Sequence, residues 1–130
     1  MANYIATARS NYFRVKDKEK FEEWCWGLGL TLIGEDDKLG FVVETNDGQI
    51  PAWRVGEDGD MDEVDFGGEL ASHLVDGEVA IFMEVGAEKL RYVSGYAIAV
   101  NSKGETRQVF LMDIYKAAGD LGPNITAAEY

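Results

Sequence analysis

Four carboxylates, Asp58, Asp60, Asp62 and Glu69, stand at positions 1, 3, 5 and 12 of a single window. That is the spacing at which a calcium loop places its oxygen ligands. The sharp turn of such a loop needs Gly at position 6, where Glu63 stands, and an apolar residue at position 8, where Asp65 stands. No helical pattern leads into the window. It therefore reads first as a solvated acidic loop, and no metal is assigned to it; a calcium-binding module is the third of three readings of the chain. His73, the one histidine, falls late in a helical pattern beside Leu70 and Leu74. It has no nucleophile at a spacing that would make a catalytic pair, so it reads as a partly buried helix residue. Cys25 lies between Trp24 and Trp26 with Glu22 and Glu23 close by. That setting suits a buried structural thiol and opposes a reactive thiolate. One His and one Cys far apart are too few for a zinc site. Gly27-Leu28-Gly29 is too short for a dinucleotide fingerprint, and Gly67-Gly68 lacks the lysine of a phosphate loop. No catalytic residue, cofactor or enzyme activity is assigned.

The stronger signal is distribution of charge. Residues 55–88 hold eleven acids and no Lys or Arg, so −11 of the formal −12 falls in that stretch. A one-signed run of this kind can be a solubilising face. It can also be a fixed array of carboxylates that occupies a basic groove built for nucleic acid, because DNA presents a negative charge every few ångströms. The candidates for partner contact are Glu57, Asp58, Asp60, Asp62, Glu63, Asp65 and Glu69, each as a phosphate surrogate. Asp76, Glu78 and Glu84 rank below them, since a carboxylate on a strand can be paired within the fold. Trp53, immediately before the run, reads either as core or as an aromatic anchor for a partner. Arg9 and Arg14, near the start, are available to pair with the acids internally.

These residues need elements to hold them. Loose alternation from Asn3 to Val15 predicts a strand, interrupted near Arg9–Asn11. Asp17 caps a helix to about Gly27, with Phe21, Trp24, Cys25 and Leu28 on one face. Leu30–Ile33 and Leu39–Thr45 read as strands, and Asn46-Asp47-Gly48 as a turn that tolerates positive φ. Ile50–Val55 reads as a third strand, with Pro51 at its start. Gly56–Glu63 is then a loop. Asp65 caps a helix to about Val75, with Phe66, Leu70 and Leu74 inward. Glu78–Val85, apolar on both faces, Leu90–Val100 and Thr106–Leu111 form an antiparallel meander, with a turn at Gly86–Lys89. Asp113 caps a last helix with Ile114, Tyr115, Ala118 and Leu121 inward, stopped by Gly122-Pro123. The fold class is α+β: an antiparallel sheet, including the meander near 78–111, with about three helices packed on it.

The 130 residues fit one domain, 1–130, and 46% apolar content is that of a globular chain. The longest apolar runs fall well short of the ~18 residues of a membrane span, and the opening lacks the pattern of a signal peptide. A soluble, cytoplasmic protein is expected. The negative charge opposes direct binding to nucleic acid or to an anionic membrane, so a basic protein is the expected partner.

Three segments carry a resemblance. The opening, Ala2-Asn3-Tyr4 with Thr7-Ala8-Arg9-Ser10-Asn11-Tyr12-Phe13-Arg14-Val15-Lys16-Asp17, is similar to that of a family of small acidic proteins found on bacterial plasmids, phages and integrated elements, mostly without assigned function. Asp76-Gly77-Glu78-Val79-Ala80-Ile81-Phe82-Met83-Glu84, continuing through Glu88-Lys89-Leu90-Arg91-Tyr92-Val93-Ser94-Gly95-Tyr96, resembles it too, as does Asp120-Leu121-Gly122-Pro123-Asn124-Ile125-Thr126. The resemblance brings no catalytic motif. It implies a mobile-element setting, in which small acidic proteins include anti-CRISPR and anti-restriction inhibitors, many of them DNA mimics. The expectation is a non-enzymatic inhibitor of a host defence nuclease complex, monomeric or homodimeric, acting through the 55–88 surface. The alternative is a small adaptor or structural protein, dimeric through a sheet edge or an apolar patch, with its acids serving solubility.

Overall fold

The computed structural model describes residues 4–130; the expected start of the first strand at Asn3 lies outside them. Among the described residues eight strands and three α-helices follow one another in chain order. They are β1 (Ile5–Ser10), α1 (Lys18–Gly27), β2 (Leu30–Glu35), β3 (Lys38–Val43), β4 (Trp53–Val55), β5 (Met61–Glu63), α2 (Phe66–His73), β6 (Val79–Glu88), β7 (Tyr92–Asn101), β8 (Thr106–Phe110) and α3 (Asp113–Ala117). Six strands form one antiparallel sheet in the order β2-β3-β1-β6-β7-β8, and β4 and β5 form a separate hairpin. The expected α+β architecture and the β6–β7–β8 meander are both present.

Helix α1 begins where Asp17 accepts a bond from the Lys20 amide at 3.2 Å, satisfying one of the helix's orphan donors. It ends at Leu28, and Gly29 takes φ +72°, a conformation that costs a side chain dearly. Its inward residues Phe21, Cys25 and Leu28 meet Leu70, Ala71 and Leu74 of the α2 segment over Phe13, Leu39, Phe41, Phe82 and Val100 of the sheet. Edge-to-face and tilted rings tie this layer together: Phe13 on Phe21, Trp24 on Phe66, and Phe66 on both Phe41 and Phe82.

The interruption in the first strand is built from side chains. Ser10 Oγ accepts from the Phe41 amide at 2.9 Å and donates to the Asn11 carbonyl at 2.7 Å. The Asn11 amide group accepts from the Ile81 N–H at 2.7 Å and donates to the Val79 carbonyl at 3.2 Å. Two short polar residues thus replace ladder bonds where the backbone departs from the sheet.

Three expectations shift. Ile50–Val55 is not a third strand of the sheet. The Ile50 amide is taken by the Glu84 carboxylate at 2.7 Å, Pro51 has no N–H to give, and only Trp53–Val55 pairs, with Met61–Glu63. The meander's first turn falls at Lys89–Arg91 instead of Gly86–Lys89, because β6 pairs with β7 through Glu88↔Tyr92. As expected, β6 is apolar on both faces: Ala80 and Phe82 lie inward beside Glu84, while Val79, Met83 and Val85 face solvent. Helix α3 is one short segment: Tyr115 and Ala118 are half-buried, but Ile114 and Leu121 are 61% and 86% exposed.

Candidate functional site

The acids of residues 55–88 divide into two groups. Those on the scaffold are engaged. Glu84 is only 8% exposed on the inward face of β6. Its oxygens accept from Ile50 N at 2.7 Å, Tyr4 OH at 3.1 Å and Tyr96 OH at 3.3 Å. Burial, followed by the nearby carboxylate, pushes the Tyr96 hydroxyl well up. Glu69 sits on α2 and takes both guanidinium nitrogens of Arg54, one of them at 2.6 Å, together with Trp24 Nε1 at 2.9 Å. Burial raises the Glu69 carboxyl, but the bonds from Arg54 and Trp24 and the Arg54 charge outweigh it, and the net shift is downward. Glu78 accepts from the Arg14 amide at 2.8 Å and lies 3.8 Å from Lys38 Nζ. Asp76 accepts from Ser102 Oγ at 3.2 Å in the turn before β6. The early arginines do not pair with the acidic stretch through their charges: the Arg14 side chain reaches Asp37, only its backbone amide meets Glu78, and Arg9 stacks over Tyr12.

Those on the hairpin are free. Glu57, Asp58, Asp60, Asp62, Glu63 and Asp65 are all exposed, and among the described residues none lies in an ion pair. The strands β4 and β5 pair as Trp53↔Glu63, Arg54↔Asp62 and Val55↔Met61. Directly opposed residues share a face. One face therefore carries Trp53, Val55, Met61 and Glu63; the other carries Arg54 and Asp62, with Arg54 reaching to Glu69. The connecting turn is ordered by its own polar groups: Gly56 N donates to the Asp60 carbonyl at 2.7 Å, and Asp60 N to Asp58 Oδ1 at 3.0 Å. Asp65 caps α2 through the Gly68 amide at 3.2 Å. The hairpin is thus anchored at its base by Arg54–Glu69, by Val64 N to the Ala52 carbonyl at 2.8 Å and by buried Val64 and Phe66.

Trp53, 55% exposed, belongs to the surface and not to the core. Together with Val55 and Met61 it makes an apolar strip rimmed by the carboxylates of the turn. Sequence reasoning had singled out Trp53 and the acids but missed Val55, Met61 and the Arg54 anchor. The signal was the short alternation Trp53-Arg54-Val55 against Met61-Asp62-Glu63.

The calcium spacing does not become a calcium loop. Glu69, the twelfth position, is turned to Arg54 and Trp24. Among the described residues no group of three or more His, Cys, Asp or Glu is arranged to hold a metal. Cys25 is buried, and burial, aided by Glu22, pushes its thiol up to about 12. His73 packs edge-on against Phe21 and beside Trp24 at the end of α2. Burial outweighs Glu69 and Asp17 and holds its pKa below the usual histidine value. Among the described residues no helix is long and apolar enough to cross a membrane. Comparison with protein-family models, curated proteins and solved structures finds no match.

Proposed function

We propose that the chain is a non-enzymatic binding protein whose β4–β5 hairpin docks into a basic, nucleic-acid-binding surface of another protein and denies that surface to DNA. A defence nuclease complex, such as a CRISPR or restriction subunit, is the class of partner that the mobile-element resemblance suggests. The observation that carries the reading is the pairing of an apolar strip with free charge: Trp53, Val55 and Met61 are exposed beside Glu57, Asp58, Asp60 and Glu63. A merely solubilising loop has no use for an exposed Trp, Val and Met on one face. A protein contact does, because an aromatic anchor supplies affinity while the charged rim sets partner choice and association rate. The contact set is Glu57, Asp58, Asp60, Asp62, Glu63 and Asp65, with Trp53 added. Glu69 and Glu84 act in the scaffold, Glu78 is tied to the first strand's exit, and Asp76 sits in a separate turn.

The test is retention of basic proteins from a bacterial lysate by tagged chain, with washes of rising salt and with duplex DNA as competitor. The reading expects a nucleic-acid-binding protein that salt and DNA both release, since contacts between exposed charges are screened within about 10 Å at 0.1 M salt. Retention indifferent to both would sink it.

A further inference from the structure

The sheet has a second face, opposite α1 and α2, and among the described residues only α3 borders it. Seven side chains there, Ile5, Met83, Val85, Val93, Val109, Leu111 and Ile114, are each more than half exposed. At roughly 100 Å² apiece they offer about 700 Å², more than the few hundred that a monomer ordinarily exposes in one patch; the six on or beside β6, β7 and β8 offer about 600 Å² towards the ~800 Å² per partner of a standard interface. The face carries little like charge: Asp113 borders it at the start of α3, and Arg9 and Arg107 stand outward on β1 and β8. Of the chain's 24 acids, none occupies an outward position of β1, β6, β7 or β8. In a chain of net charge −12, that lowers the repulsion that would otherwise keep two copies apart.

Its shape is self-complementary. The outward residues in the middle of β7, Gly95 and Ala97, are small, and they floor a trough. Met83 and Val85 on β6 wall one side, and Val109, Leu111 and Ile114 wall the other. Cross-strand pairing sets Val109 beside Ala97, and Leu111 N donates to the Gly95 carbonyl at 2.8 Å. Large and small side chains therefore stand at the same level on adjacent strands.

We infer that a second copy of this chain covers the face, the two sheets packed face to face about a two-fold axis that runs along the strands between β7 and β8. That operation lays β8 of each copy over β7 of the other. Val109 enters above Ala97 and Leu111 above Gly95, twice over, as an isologous interface requires. Two aligned sheets packed ~10 Å apart are a stable arrangement for side chains that interdigitate in this way. Arg107, at the rim of β8, extends its charge to solvent. The inference does not depend on what the hairpin binds.

Sedimentation equilibrium of the full chain, up to about 100 µM, tests it against micromolar dissociation constants. The wild type is expected at twice its 14.4 kDa mass. Val109→Glu is expected at the single-chain mass with an unchanged far-UV circular dichroism spectrum. Val109→Thr, which keeps the β-branched shape, is expected to weaken the dimer at least tenfold. A wild type that stays at 14.4 kDa throughout overturns the inference, and so does a folded Val109→Glu protein that remains dimeric. Should Val109→Glu not fold, an unchanged dissociation constant for Val109→Thr overturns it equally.

Discussion

Glu84 and Asp60 belong to the same acidic run and do opposite work. Glu84 is buried, accepts three hydrogen bonds and joins the first strand, the Ile50 crossing and β7. Asp60 stands in solvent on a hairpin turn, and among the described residues its side chain finds no hydrogen-bond partner. A run of one charge sign is therefore not one feature. Where the backbone is a central strand, a carboxylate survives only by collecting donors. Where the backbone is a two-stranded hairpin outside the main sheet, it keeps its charge for something else.

The two groups should separate sharply on substitution. The largest stability effect belongs to Glu84. Glu84→Ala strands Tyr4 OH, Tyr96 OH and the Ile50 amide together, and should cost about 3 kcal/mol in urea unfolding. A loss below ~1 kcal/mol would mean that these donors find other partners. Next comes Glu69→Gln, which breaks the bidentate pair with a partly exposed Arg54 and should cost about 1 kcal/mol. It should also loosen the base of the hairpin, visible as faster amide exchange over residues 53–63.

Acid should expose the same division. The lowered pKa of His73 means that its neutral form is favoured in the folded state. Its contribution is complete above the unfolded value of 6.5 and is lost as pH falls through the lower folded value. Glu69 follows the same sign further down: its contribution is present above 4.5 and is lost as pH falls through its depressed value. Melting temperature should thus decline in two stages on acidification, and His73→Gln should remove the first. A melting temperature that rises between pH 7 and pH 5.5 would contradict the His73 assignment.

The smallest stability effect should come from the hairpin. Asp58→Asn, Asp60→Asn and Asp62→Asn combined should move stability by no more than about 0.5 kcal/mol, with any change upward from relieved repulsion. A larger loss would show that these carboxylates hold the hairpin together.

Much of this arrangement is legible in residue order. Phe21, Trp24, Cys25 and Leu28 recur at helical spacing and do bury together; Asp17 and Asp65 do cap their helices. Apolar residues at both parities of β6 also announce two apolar sheet faces. Nothing local tells whether both are covered, because covering a sheet depends on elements distant in the chain. The fate of the acids was illegible for the same reason. Glu84 finds Tyr4 eighty residues away, and Glu69 finds Trp24 forty-five away. The lost strand at Ile50 follows from that bond as well, since the amide it would have given to the ladder goes to Glu84.

The most direct measurement compares two tagged chains in one bacterial lysate: the wild type, and a variant with Glu57, Asp58, Asp60 and Asp62 all changed to Lys. The account predicts that the wild type retains a basic nucleic-acid-binding protein, that duplex DNA or high salt releases it, and that the variant folds equally well but does not retain it. The same protein held by both chains would contradict the claim that the hairpin's free carboxylates stand in for phosphates.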